Sequence, residues 1–238
     1  MTPRHHVAAF ILAGGASSRM GRDKALLDFG GVPLILHTAR LLEPLVSEVT
    51  VVGSPDRYAP LGLHAIADES NRQAQGGRDT PNRGPLAGIA AALAATHSIW
   101  NLVVACDLPY LSAEWLDWLL SRALRSRAEA VVPQTKQGME PLAAVYRREC
   151  AAPIAAALAR GMRKVSDAIE ELCLDLVYPR EWSSLDASGL ILKNMNEPGD
   201  YEEARKWWSD KYPPVNEHLK GPLQPLNRKQ RSAPRRNK

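Results

Sequence analysis

LAGGASSRMGRDKALL, residues 12–27, decides how this chain is read. The segment follows a short apolar run, Val7–Leu12, and gathers three glycines, two serines, two arginines and a lysine into one loop. Glycine permits close approach of the backbone to a ligand and turns through positive φ, so neighbouring N–H groups can converge on a phosphate. Arg19, Arg22 and Lys24 set positive charge beside that cradle, where a triphosphate needs it. A strand running into such a loop points to nucleotide binding; the plainer reading is a glycine-rich turn leading into a solvated basic helix. Two familiar phosphate loops are excluded. A P-loop would place Gly-Lys-Ser/Thr where Gly21 is followed by Arg22 and Asp23, and a dinucleotide fingerprint beginning at Gly14 would need glycines where Ala16 and Arg19 stand.

Working outward, strand-like and helix-like segments alternate. Val7–Leu12 reads as a buried strand, Leu34–Leu45 as a helix, Ser47–Val52 as a strand, 63–68 as a third strand and Pro85–Thr96 as an alanine-rich helix. Residues 99–107 form a strongly apolar strand, Ala113–Arg125 an amphipathic helix and Glu129–Pro133 another strand. Further on, MEPLAAVYRR (139–148), LCLDLVYP (172–179) and GLILKNMN (189–196) read as strands. Cys150–Ala159, Arg163–Leu172 and Pro198–Trp208 read as helices. Such alternation predicts an α/β fold with a mostly parallel sheet, helices on both faces and right-handed crossovers. In such sheets the ligand lies outside the carboxyl ends of the strands, near a change in strand order.

Composition narrows the class. The 238 residues suffice for one substantial domain, and 45% hydrophobic content is ordinary for a soluble globular protein. Cys106, Cys150 and Cys173 are too few and too scattered for a disulfide framework or a zinc pattern, which suits a reducing cytoplasm. The N-terminal apolar stretch is too short to span a bilayer, and a signal-peptide cleavage site would fall inside the glycine loop. The sequence pI near 9 is misleading as a nucleic-acid signal. Residues 218–238 hold seven Lys/Arg and no Asp/Glu, while the rest of the chain carries 23 basic against 26 acidic residues. Residues 1–212 are therefore read as a single domain and 213–238 as a basic, disordered tail. Residues 69–83, almost without apolar content, read as a mobile insertion, either lid or ornament.

Asp107, in CDLPYL (106–111), is the second candidate. It ends the most apolar strand, at the edge where the glycine loop emerges, and a carboxylate beside a triphosphate is suited to holding Mg²⁺. The competing role, a cap for the next helix, falls better to Ser112. Asp68 also ends a strand, as a turn residue or as part of a pocket. In RGPLAG (83–88), Gly84 and Pro85 open a helix whose N–H groups favour an anion or a polar base edge.

Taken in order, LAGG-x-S-x-RMG-x-DKALL, GPLAG, CDLP, EPLAAVYRR and NMNEPGDYEEA resemble the molybdenum cofactor guanylyltransferases, the MobA family of the nucleotidyltransferase superfamily, over about residues 7–208. The resemblance implies a Rossmann-like, nucleotide-diphospho-sugar transferase-like sheet. It also implies GMP transfer from GTP to molybdenum-molybdopterin, with Mg²⁺ required and pyrophosphate released. Carried over residue by residue, Leu12, Ala13 and Gly14 contact GTP mainly through backbone, Lys24 binds phosphates, and Asp68 lies in the nucleotide pocket. Gly15 and Arg19 join them from the reading of the loop itself, as nucleotide-binding backbone and as a second cation on the triphosphate. Asp107 meets both GTP and Mg²⁺, while Asn194 and Asn196 lie where pterin and metal meet. Glu140 has two readings, a residue facing the pterin end and a sheet-edge charge. The implied partners are GTP, molybdenum-molybdopterin and molybdoenzyme-maturation proteins, without membrane or nucleic acid, for a cytoplasmic protein favoured as a monomer.

The chain departs from the family pattern at Gly53, where an Asn is expected, and at Glu197, where NEPGD replaces NTPED. His5 and His6 decorate the start of the first strand, and the six tryptophans pack rather than stack on bases. The rivals are a cytidylyl- or other nucleotidyltransferase on a phosphorylated acceptor, a silent nucleotide-binding protein docking through its tail, and a glycosyltransferase. The last would more often show Asp-x-Asp where Ala105 and Cys106 precede Asp107.

Overall fold

The computed structural model describes residues 4–13, 23–67 and 84–211. Its strands are β1 (Arg4–Ala13), β2 (Asp28–Phe29), β3 (Val32–Pro33), β4 (Val46–Gly53), β5 (Ala65–Ile66), β6 (Trp100–Ala105), β7 (Ala130–Thr135), β8 (Gly138–Met139), β9 (Ala143–Arg147) and β10 (Leu174–Val177). The central sheet runs β10-β7-β9-β6-β1-β4-β5, with β8 paired to β7; β2 and β3 form a separate hairpin. β10–β7, β6–β1, β1–β4 and β4–β5 are parallel pairs, β9 runs antiparallel to β6 and β7, and the short β8 runs antiparallel to β7. The mostly parallel α/β architecture read from the sequence is therefore present.

β1 explains why its sequence is continuously apolar. Val7, Ala9, Ile11 and Ala13 enter one core cluster, while Ala8, Phe10 and Leu12 enter the cluster on the opposite face. A strand covered on both sides has no solvent face to mark with alternating polar residues. Helices Leu34–Leu42 and Ala113–Arg125 cover the first face through Ile35, Ala39, Leu42, Trp115, Leu116 and Leu119. Helices Gly84–Ala95, Ala151–Ala159 and Val165–Ile169 cover the second. Among the described residues no helix is long and apolar enough to cross a membrane.

Some boundaries and one element differ from the sequence reading. The third strand is the two-residue β5, the helix expected over Arg163–Leu172 shortens to Val165–Ile169, and the strand of MEPLAAVYRR begins only at Ala143. Residues 189–196 form no strand. Their backbone donors are committed locally: Leu190 N donates to Asp186 Oδ1, Lys193 N to the Leu190 carbonyl and Met195 N to the Asp107 carbonyl. Ile191 and Met195 are nevertheless buried, so an apolar run was needed without a ladder.

A third cluster, Leu27, Phe29, Leu34, Tyr110, Met195 and Ala204, docks the helix Pro198–Lys211 against the β2–β3 hairpin. Tyr201 Oη donates to the Asp28 carbonyl at 2.9 Å and Trp208 Nε1 to the Pro109 carbonyl at 2.9 Å. This docking carries the Asn194–Asn196 segment back to the end of β6. Trp100 and Trp115 are buried, and Trp118 and Trp182 meet edge to face at 5.7 Å, so these tryptophans pack as expected.

Candidate active site

From β1 the chain builds β4 and β5 on one side, then crosses back to lay β6 on the other side of β1. The change in strand order thus falls between β1 and β6, where open α/β sheets place their ligands. β1 ends at Ala13, immediately before the glycine segment, and β6 ends at Ala105, two residues before Asp107. The two strand ends are tied by a hydrogen bond from Cys106 N to the Leu12 carbonyl at 3.1 Å. The GPLAG helix reaches the same corner because Gly88 has no side chain: a Cβ there would press on Leu12 Cδ2 at 3.3 Å.

Three distant sequence motifs converge on one ammonium group. Lys24 Nζ donates to Asp107 Oδ2 at 3.1 Å and to Asn196 Oδ1 at 2.9 Å. Each partner is held by its own local structure. Lys24 opens a single 3₁₀ turn, Lys24–Leu26, capped by Asp23, whose Oδ1 accepts from Ala25 N at 3.0 Å. Asp107 follows β6 and accepts Met195 N at its backbone carbonyl. It is free of capping duty because Ser112 caps the next helix, accepting from Trp115 N. Asn196 is fixed by Asp200, whose Oδ2 accepts from Asn196 N at 2.8 Å and Glu197 N at 2.9 Å. Those backbone donors hold the Asp200 carboxyl below the usual range. They also show what Glu197 changes: the N-terminal hydroxyl is absent, but the carboxylate half of a capping box persists.

Asn194 and Glu140 come together a little farther along the edge. Both line a cavity of about 320 Å³ walled by Pro85, Leu108, Pro141 and Val165, and both line a larger neighbour of about 970 Å³ that extends to Asn196. Burial raises the Glu140 carboxyl above its ordinary range, opposed by a hydrogen bond from Thr135 Oγ1 at 3.0 Å. Glu140 is thus half-buried at the wall of that cavity.

A hard divalent cation takes oxygen ligands and is often held by one or two carboxylates together with substrate phosphates. Among the described residues no trio of His, Cys, Asp or Glu is gathered to hold a metal alone. Asp107 brings one oxygen to Lys24, and its second takes no hydrogen bond from a described residue. That donor set fits Mg²⁺ shared with a nucleotide.

Leu12 and Ala13 are the last residues of β1, which runs one residue past the expected Val7–Leu12, and their carbonyls are engaged, the first by Cys106 N and the second by Tyr58 Oη at 3.2 Å. Gly14, Gly15, Arg19 and Asp68 lie outside the described residues, as do the 69–83 insertion and the 213–238 tail. Gly53 pairs with Ala13 in the parallel register, and a Cβ on it would collide with the Ala13 carbonyl oxygen and lie 2.8 Å from Tyr58 Cε2. The Asn expected there does not fit this packing. Asp23, Tyr58 and Asp200 were not singled out from the sequence. For Asp23, the available signal was a capping residue directly before Lys24.

The fold is that of the nucleotidyltransferases. Molybdopterin-guanine dinucleotide biosynthesis protein A from Archaeoglobus fulgidus superposes with a TM-score of 0.71 at 24% identity, covering 85% of this chain and 99% of that one. The 2-C-methyl-D-erythritol 4-phosphate cytidylyltransferase from Thermus thermophilus gives 0.59 at 17%, covering 83% and 96%. The chain belongs to the family described as MobA-like NTP transferase domain, whose model matches residues 9–172. A Synechococcus elongatus protein named a probable molybdenum cofactor guanylyltransferase is 36% identical over 203 residues, 82% of this chain and 96% of its own length.

Proposed function

We propose that this protein transfers the guanylyl group of GTP to molybdenum-bearing molybdopterin, releasing pyrophosphate. The observation that carries the reading is the Lys24 ammonium joined to both Asp107 and Asn196. It unites the exit of the glycine segment, the end of β6 and the C-terminal Asn-x-Asn segment beside the cavity that Glu140 and Asn194 share.

In the proposed reaction the terminal phosphate of the pterin attacks the α-phosphorus of GTP in line, and the bond to the β-phosphate oxygen breaks. The nucleophile is already anionic near neutral pH, so no strong general base is required. What the chain supplies is alignment and charge. Lys24 exchanges its carboxylate and carboxamide partners for phosphate oxygens, neutralising the triphosphate as pyrophosphate departs. Arg19 adds a second cation in the proposal. Asp107 is the residue that would hold magnesium, which when bound supplies further neutralisation at the phosphates. Asn194, Asn196 and Glu140 line the acceptor side.

The test is incubation of the purified protein with GTP, Mg²⁺ and molybdopterin carrying molybdenum, with mass detection of the product. A mass gain of one guanylyl unit, lost on adding a chelator and not matched with CTP or UTP, is expected. Equal turnover of CTP, or no product with any nucleotide, overturns the proposal.

A further inference from the structure

Between the described ends of the glycine segment stands one phenolic hydroxyl. Tyr58 Oη lies 3.2 Å from the carbonyl oxygen of Ala13, the last residue before that segment, and 3.1 Å from Oδ2 of Asp23, the first residue after it. Its single proton serves both acceptors. Burial, with the neighbouring Asp23 charge, raises the phenol above its ordinary range, so the group is a donor throughout the physiological span. Arg57 Nη1 donates to the same Asp23 oxygen at 2.6 Å, and the other Asp23 oxygen caps the turn that carries Lys24. The Tyr58 ring is buried and reaches this position over Gly53, whose missing Cβ leaves the space.

We infer that Tyr58 is a positioning residue for the nucleotide: its hydroxyl sets the entry and exit of the glycine segment relative to one another, and through Asp23 sets the Lys24 ammonium against Asp107. The inference rests on the proposed reading of Lys24 as a ligand of the nucleotide phosphates. The physical reason is that Lys24 directly follows Asp23, so its ammonium is placed against Asp107 only as firmly as Asp23 is tied to the end of β1. The phenol shares its one proton between the neutral Ala13 carbonyl and the Asp23 carboxylate, charge-assisted on the carboxylate side only, and holds the two without adding a charge of its own. Asp23 contributes a second effect, because the carboxylate that receives the phenol also fixes the first turn of the lysine's 3₁₀ helix.

The test substitution is Tyr58→Phe, which keeps the buried ring and removes only the hydroxyl. Two readouts on the full chain separate positioning from mere stability. Magnesium GTP affinity by titration is expected to weaken about tenfold, the range for a charge-assisted hydrogen bond, with the KM for the acceptor unchanged. Amide exchange of a peptide spanning residues 12–26, without nucleotide, is expected to quicken while a peptide spanning β6 keeps its rate. Tyr110→Phe, which also removes a buried hydroxyl, is the matched control and moves neither readout. Unchanged exchange over 12–26 in Tyr58→Phe overturns the inference, as does equal quickening in β6. Should the wild type bind magnesium CTP or UTP in place of GTP, with the same weakening and the same selective quickening of exchange in Tyr58→Phe, the positioning role stands and the guanylyl reading falls.

Discussion

Replacing Lys24 with methionine separates catalytic from structural worth at the centre of the site. Methionine keeps an unbranched stem only one atom shorter and removes the ammonium charge. In the unliganded protein the ammonium lies 3.1 Å from Asp107 Oδ2, with the two side chains 17% and 21% exposed. The gross attraction at that distance is about 5 kcal/mol at an effective dielectric near 20. Desolvation of both groups offsets most of it, leaving a net contribution of about 1 kcal/mol. For a chain of this size that corresponds to a fall of about 2–4 °C in Tm. The proposed reaction asks more of the same group, because there charge would develop on phosphate oxygens in a site arranged in advance to receive it. Loss of one such group costs about 10²–10³ in rate, or 3–4 kcal/mol. The assay pairs pyrophosphate release at varied GTP with thermal melting. A kcat/KM within threefold of wild type would refute the assignment. A rate loss accompanied by a drop in Tm beyond about 10 °C would show that the fold, rather than the chemistry, had been damaged.

Three further outcomes are expected. Glu140→Gln raises the KM for the acceptor about tenfold and leaves that for GTP unchanged, measured by steady-state pyrophosphate release. Asp200 has a lowered carboxyl in the fold, so its stabilising contribution is present above the unfolded value near 3.9 and is lost as pH falls through the folded value. Melting of Asp200→Asn against wild type should therefore differ at pH 7 and converge on acidification to about pH 2. Gly53→Ala forces a Cβ onto the Ala13 carbonyl and should cost about 1–3 kcal/mol in denaturant unfolding.

The sequence made the frame legible where a single physical rule applied. β1 and β6 announced themselves because strands buried on both faces are continuously apolar. Ser112 marked the start of its helix because a hydroxyl there satisfies a free N–H, and the structure has that bond. Residues 189–196 misled because an apolar run reports burial and not hydrogen bonding; Asp186 takes the donors a ladder would have used. The antiparallel setting of β9 follows from the short β8 turn at Gly138–Met139, which leaves no length for a crossover helix.

In the site, Lys24, Asp107 and Asn196 were each read separately, from a loop, a strand end and a C-terminal motif. Their meeting at one ammonium group depends on long-range docking by the third core cluster, which periodicity does not report. Tyr58 was invisible for the same reason: it lies 45 residues from Ala13 and 35 from Asp23 along the chain.

The central claim is tested most directly by a crystal structure of the protein with magnesium and a non-hydrolysable GTP analogue. The account predicts the triphosphate across the carboxyl ends of β1 and β6, with Lys24 Nζ on phosphate oxygens and a metal ion on the Asp107 carboxylate. Nucleotide bound away from those two strand ends, with Lys24 still joined to Asp107 and Asn196, would contradict it.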